Sequence, residues 1–382
     1  MKIRKNRKPK ILIVSDYFYP HWTGIAKAFL YTVIYLHKKY DFTVLTVRHE
    51  DALKKNETIY STKIKRYNYF FSFSRSKYSL SLLGGFIQEA RRHDLIIINS
   101  PCVNILPISF LSKLFSKKFL VYHQGDLILP KGLLNHVIEK LFDISTLISF
   151  YLADIISTNT ADYAHNSRVM RHFLHKCFPV LLPILKRNKK RTKIFELERI
   201  KKSKYTIIGF GGRFVEEKGY DILFDAIRIV IKKMPKLHFV FAGETNMKYE
   251  DFYSKNLQRI KKVKQNITFL GLLEEDVLPT FYSYLDFLVV PSRSDCFSLM
   301  QAEAMIYGVP SIVSDIPGAR FLVKRTGFGT TFKKENAKDL AGKIIHAIHN
   351  KKKMIRCKPY VEKILDNKKN SKKIMYIINS SL

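Results

Sequence analysis

Short apolar runs recur along the chain, each followed by a turn and then by residues at helical spacing: KILIVSD, DFTVLTV, DLIIINSP and KFLVYHQGD, then ADIISTNT. Runs that are apolar on both sides of a strand belong to a sheet covered on both faces, and their alternation with helical stretches calls for a parallel α/β sheet. The pattern lapses between Leu185 and Tyr205, where the chain is mostly charged and offers no apolar strand core. A second series then starts with YTIIGFGGR, LHFVFAGE, NITFLG, DFLVVPSRS and PSIVSD. The expected organisation is two doubly wound, Rossmann-like domains in tandem: 1–185, a linker over 186–204, and 205–360, with a closing helix over 361–382 that packs back on the first domain. Ligands of such sheets sit at the carboxyl ends of the strands, so two facing domains are expected to enclose one cleft.

Length and charge narrow the class further. A chain of 382 residues with 46% hydrophobic residues can bury about two cores. Its 67 Lys and Arg against 32 Asp and Glu leave a formal charge of +35, which points to anionic partners. Lys, Ile, Asn, Phe and Tyr also accumulate when coding DNA is AT-rich, so part of this charge reads as compositional. Cys102, Cys177, Cys296 and Cys357 form no metal or redox spacing and suit a reduced, cytosolic compartment. The basic start MKIRKNRKPK is followed by an apolar run too short for a secretory leader. Residues Leu95 to Ser112 lack charge but carry Asn99, Pro101, Asn104 and Pro107, so no membrane span is expected.

Two stretches carry chemistry. In GGRFVEEKGYDIL, Gly211 and Gly212 permit a tight strand exit, while Arg213 and Lys218 can hold phosphoryl oxygens as charge builds on a leaving group. Two cations among many could equally decorate a loop. In SDCFSLMQAE, a helical pattern begins near Ser298, which puts the N–H groups of Phe297, Ser298 and Leu299 at a helix start able to bind phosphate. Asp295 precedes that helix and can reach a sugar hydroxyl; Glu303, inside it, can accept from the two hydroxyls of a ribose. The plainer alternative makes Asp295 or Ser294 a helix cap and Glu303 an ordinary helix residue.

Together these residues resemble the donor-binding half of the retaining glycosyltransferases of family 4, the glycosyl transferases group 1, which have the GT-B fold. The resemblance rests on Arg213 and Lys218, then on Glu303, Ala304, Met305, Gly308 and Pro310 in PSRSDCFSLMQAEAMIYGVPSIVSDIPG. Asp295 stands where that family usually has Glu, one methylene shorter with the same charge. The first half resembles the family more diffusely: in SDYFYPHWTGIAKAF, Gly24 matches the second of two usual glycines and Thr23 replaces the first. In KFLVYHQGD, His123 falls where similar enzymes carry a histidine facing the donor sugar.

The resemblance implies transfer of a sugar from a UDP or GDP sugar to a glycan or lipid-linked acceptor, with retention of anomeric configuration, since similar bacterial proteins build lipopolysaccharide, capsule or other surface glycans. His123, Asp295, Arg213 and Lys218 are then the catalytic set, and Gly24, Gly212, Arg213, Lys218, Phe297, Ser298, Leu299 and Glu303 hold the donor. No Asp-x-Asp motif occurs, so no cofactor or metal is expected. Cytoplasmic residence at the inner face of an anionic membrane is expected, with LKRNKKRTK and NKKNSKK as candidate contacts and no nucleic acid as partner. Two alternatives stay open. A basic nucleic-acid-binding protein would give a steep salt slope on RNA without sugar transfer; a GT-B epimerase or phosphorylase would keep the fold and change the reaction, the phosphorylase showing a pyridoxal absorbance band.

Overall fold

The computed structural model describes residues 7–21, 23–73, 76–130, 132–188, 193–247 and 250–382. Residues 1–6 of the basic start and 189–192 of the run LKRNKKRTK lie outside these. The described chain divides into two compact units, one of residues 1–183 and 366–382 and the other of residues 184–365.

The first unit contains strands β1 (Lys10–Val14), β2 (Asp41–Val47), β3 (Asn56–Ile59) and β4 (Thr62–Tyr67), a small antiparallel hairpin β5 (Phe71–Phe73) and β6 (Ser76–Tyr78), then β7 (Leu95–Ser100), β8 (Phe119–His123), β9 (Ile155–Thr158) and β10 (Cys177–Pro179). The main sheet runs β10-β9-β8-β7-β1-β2-β4-β3, parallel except for β3. Ile11 to Val14 and Leu95 to Ile98 are buried because helices cover both faces, which is why these strands read as unbroken apolar runs. Strand order reverses between β1 and β7, the switch point of a doubly wound sheet.

The second unit repeats the scheme with β11 (Thr206–Gly211), β12 (Leu237–Ala242), β13 (Ile267–Phe269), β14 (Phe287–Val290), β15 (Ser311–Ser314) and β16 (Gly329–Phe332), all parallel in the order β13-β12-β11-β14-β15-β16. Its switch point lies between β11 and β14. The core there is dense in aromatic rings, with Phe210, Phe214, Tyr220, Phe224 and Phe241 in mutual contact.

Two boundaries differ from the sequence reading. The charged stretch 186–204 holds the helix Phe195–Lys202, which buries Leu197 and Ile200, so it belongs to the second unit and is not simply a linker. Two apolar residues three apart are enough to seat a short helix whose other face is solvated. The closing segment is likewise split. The helix Lys358–Ile364 stays with the second unit, whereas Asn367–Ser381 packs on the first, burying Ile374, Ile377 and Ile378. Asp366 caps that last helix through the N–H groups of Lys368 and Lys369, and the Tyr40 hydroxyl donates to Asn379 at 2.8 Å.

Candidate functional site

The second unit brings its chemistry-bearing residues to the carboxyl ends of β11 and β14. Gly212, immediately after β11, has φ of 109°, a conformation that favours glycine, and the chain there turns sharply enough to leave Arg213 half-buried at the rim. A short 3₁₀ turn, Glu216–Lys218, follows. After β14 the chain runs through Pro291 to Ser298 into the helix Leu299–Ile306.

Lys218 and Asp295 meet across these two loops. The ammonium donates to Asp295 Oδ2 at 3.0 Å, and Glu217 lies 3.9 Å away. Burial alone would lower the pKa of Lys218, and Arg213 pushes the same way; Asp295 and Glu217 outweigh them and hold it above its ordinary value. Lys218 is therefore a permanent cation whose charge is partly spent on a carboxylate. The sequence reading had the cations and Asp295 serve different parts of a ligand, whereas here Lys218 and Asp295 form one ion pair.

Arg293 fixes that pair's geometry, and the sequence reading passed over it. Its guanidinium grips Asp221 with two parallel bonds of 2.9 and 2.8 Å, donates to the Glu216 carbonyl at 2.7 Å and reaches Glu335 at 3.0 Å. Its own N–H donates to the Glu217 carbonyl at 2.8 Å. Burial would lower its pKa, but Asp221 and Glu335 drive it upward. A planar fork of donors is the side chain able to tie one loop to another this way. The signal in the sequence was an Arg two residues before Asp295, inside PSRSD.

Gly318 supplies the second unforeseen constraint. A Cβ there would lie 1.8 Å from the Asp295 carbonyl oxygen, so the helix Pro317–Thr326 can approach the Asp295–Cys296 backbone only because the residue is glycine. The Gly318 carbonyl accepts from the Ser298 N–H at 3.2 Å. Of the three N–H groups expected to face a ligand, that of Ser298 is thus already engaged. Ser298 also caps its helix, its hydroxyl accepting from Gln301 N–H at 3.4 Å. Phe297 and Leu299 flank it, both half-buried.

Glu303 sits deeper, 6% exposed, and its Oε2 accepts from the Tyr282 hydroxyl at 2.9 Å. Tyr282 in turn stacks on Tyr307 with ring centres 5.5 Å apart. Glu303 is thus held by a phenol in this conformation, a partner that sequence spacing does not reveal.

The remaining expected residues belong to the first unit. Gly24 opens the helix Gly24–Leu36 and is exposed, with Thr23 as cap accepting from Ala26 N–H at 3.2 Å. His123 ends β8 and is only 1% exposed. Its Nδ1 lies 3.0 Å from the Ser100 hydroxyl and its Nε2 3.2 Å from Asp126, and Phe150 packs edge-on against the ring. Burial would raise the Asp126 carboxyl; its bonds with His123, Ser167 and the Arg168 N–H instead hold it at about 2. The ring is therefore sheathed by its own unit, which departs from the expectation of a sugar-facing histidine. No group of three or more His, Cys, Asp or Glu among the described residues could hold a metal.

Residues 191–364 match the family model of the glycosyl transferases group 1. A protein from the capsule region of Klebsiella pneumoniae, described as an uncharacterized 41.2 kDa protein, is 33% identical over 129 residues, 32% of this chain and 33% of that one. The chain thus spans about a third of that relative's length. Over nearly its whole length the fold is similar to two solved structures. Sucrose-phosphate synthase of Thermosynechococcus elongatus superposes with a TM-score of 0.78 at 14% identity, covering 98% of this chain and 99% of that one. HepE of Anabaena, solved in complex with UDP-glucose, gives a TM-score of 0.74 at 16% identity, covering 97% and 99%. The two doubly wound sheets and the C-terminal helix make this the GT-B fold. Residues 191–364 are thus similar to the glycosyl transferases group 1, within a chain of the GT-B fold.

Proposed function

We propose that this protein is a retaining glycosyltransferase that moves a sugar from a nucleoside-diphosphate sugar, UDP or GDP, to a glycan or lipid-linked acceptor in cell-surface polysaccharide synthesis, on the inner face of the cytoplasmic membrane. The carrying observation is the Lys218–Asp295 pair at the switch point of the second unit, where sheets of this kind receive ligands, with Arg213 beside it. A diphosphate arriving there competes with Asp295 for Lys218 and meets Arg213 as well. The carboxylate freed by that exchange becomes an acceptor for a sugar hydroxyl. Both cations gain as the nucleoside diphosphate departs with its full charge, so they favour the transition state over the bound donor, and no metal is needed for that step. Glu303, released from Tyr282, would take the ribose hydroxyls. His123 is assigned no proton transfer; its bonds to Ser100 and Asp126 fit it to shape the carboxyl end of β8.

The surface-glycan part of the reading is supported by the capsule-region relative, and the nucleotide-sugar part by the UDP-glucose complex of HepE. The test is to incubate the protein with UDP and GDP sugars and a lipid-linked acceptor extract in the presence of a chelator, and to read the product's anomeric coupling by NMR. Retention without added metal supports the reading; inversion, or transfer only with magnesium or manganese, contradicts it. Lys218→Ala and Arg213→Ala should each lower turnover by about 100-fold or more with the fold intact by circular dichroism.

A further inference from the structure

The helix Leu133–Leu152 carries Leu133, Val137, Leu141, Ile144, Ile148 and Tyr151 on its outer side, from 84% exposed at Leu133 through 61% at Leu141 to 72% at Tyr151. Their spacing of three and four residues makes one continuous apolar stripe along the helix. The neighbouring helix Ile105–Leu114, which packs against it, adds exposed Phe110 and Leu114. Monomeric proteins rarely leave an apolar surface of this extent to water.

Charge decides what covers it. The helix has two acids, Glu139 and Asp143, and both are turned to the protein side, where they pair with Arg168 at 3.6 and 3.0 Å; Glu139 also accepts from Leu129 N–H. The outer side keeps only Lys140 as a charge. At its far end Lys176 stands over the Tyr151 ring, and beyond Leu114 the exposed Lys118 shares Asp154 with Lys113 at 3.2 and 3.3 Å, which leaves two cations to one acid there. An apolar stripe with cations at its margin and both of the helix's own acids withdrawn is suited to lie in the boundary between anionic headgroups and acyl chains, the cations remaining at headgroup level. A second copy of the chain is the poorer occupant, since each copy brings a formal charge of +35.

We infer that the outer face of the helix Leu133–Leu152 is the surface by which the protein docks on an anionic lipid bilayer. This deepens the membrane part of the proposed function and rests on that reading for its biological sense. It names a different surface from the basic runs LKRNKKRTK and NKKNSKK.

The test is flotation of the full chain with phosphatidylcholine vesicles containing phosphatidylglycerol, comparing wild type with Leu141→Glu/Ile148→Glu, with the milder Leu141→Ser/Ile148→Ser, and with a Lys→Gln series in NKKNSKK. Both substituted positions are exposed, and circular dichroism together with UDP titration checks the fold. The docking face predicts that wild type floats, that the Glu pair weakens partition by about tenfold or more and the Ser pair by less, and that the Lys→Gln series retains most binding. The inference is overturned if wild type does not float, if the Glu pair floats equally well, or if binding follows the Lys→Gln series alone. It is also overturned if ultracentrifugation shows a wild-type dimer that the Glu pair dissolves. UDP binding that fails while flotation stands would count against the glycosyltransferase reading alone.

Discussion

Lys218 is held charged by two carboxylates and opposed by a neighbouring guanidinium, so small changes around it alter what it can offer a leaving group. Asp295→Asn keeps the shape but removes the main partner. Turnover should fall by about 100-fold, whereas Asp295→Glu keeps the charge and should retain more activity with an altered sugar preference, as a donor panel would reveal. Arg293→Gln leaves every group that touches substrate in place but frees the Glu216–Lys218 turn. Because it acts through position, kcat should drop about 10-fold or more with KM changed less, and Arg293→Lys should rescue only partly, since an ammonium cannot reproduce the two-bond grip on Asp221. Equal kinetics for Arg293→Gln and wild type would remove its positioning role. In the first unit, burial and the nearby His21, with Lys77 and Arg66 adding, hold His49 down to about 4 from 6.5. The unfolded chain therefore takes up a proton as pH falls through 6.5, while the folded chain resists until about 4, and stability drops across that window. His49→Gln should lose less in Tm between pH 7 and pH 5 than wild type does, by roughly 2–4 °C in a scanning experiment. Parallel Tm curves would contradict the assignment. At this scale Arg213, Lys218, Asp295 and Glu303 could be nominated from their types and spacing, but their partners could not. Tyr282 is 21 residues from Glu303 and Asp221 is 72 from Arg293, and only the folded backbone brings them together.

Elements built from strong periodic runs were legible; those that depend on a close approach were not. The strands KILIV, DFTVLTV and TIIGFG announce themselves because a doubly covered parallel strand is apolar at every position. By contrast β16, GTTF, is short and mixed, and forms because β15 offers it an edge. The helix Phe195–Lys202 hid in a charged stretch because only two of its residues face the core. The contact of the helix Pro317–Thr326 with the loop after β14 depends on one missing Cβ. Gly318→Ala should cost about 1–3 kcal/mol in denaturant unfolding and lower turnover together, by shifting Asp295. A variant as stable and active as wild type would show that the backbone there yields easily.

The whole molecule is two α/β units whose sequence order is broken once, by the last helix returning to the first unit. A closing helix over 361–382 was expected, while the point at which the chain leaves the second unit was not legible, because Lys358–Ile364 and Asn367–Ser381 are both basic and helical. Removing residues 366–382 should lower the calorimetric transition of the first unit while UDP binding by the second persists. Loss of both together would mean that the units do not fold separately. The proposed activity itself is tested most directly by calorimetric titration of UDP, with chelator present, into wild type and into Arg213→Ala/Lys218→Ala. Binding by wild type that falls about 100-fold or more in the double variant is the predicted result; equal affinity in the two proteins, or binding that needs added magnesium, would contradict it.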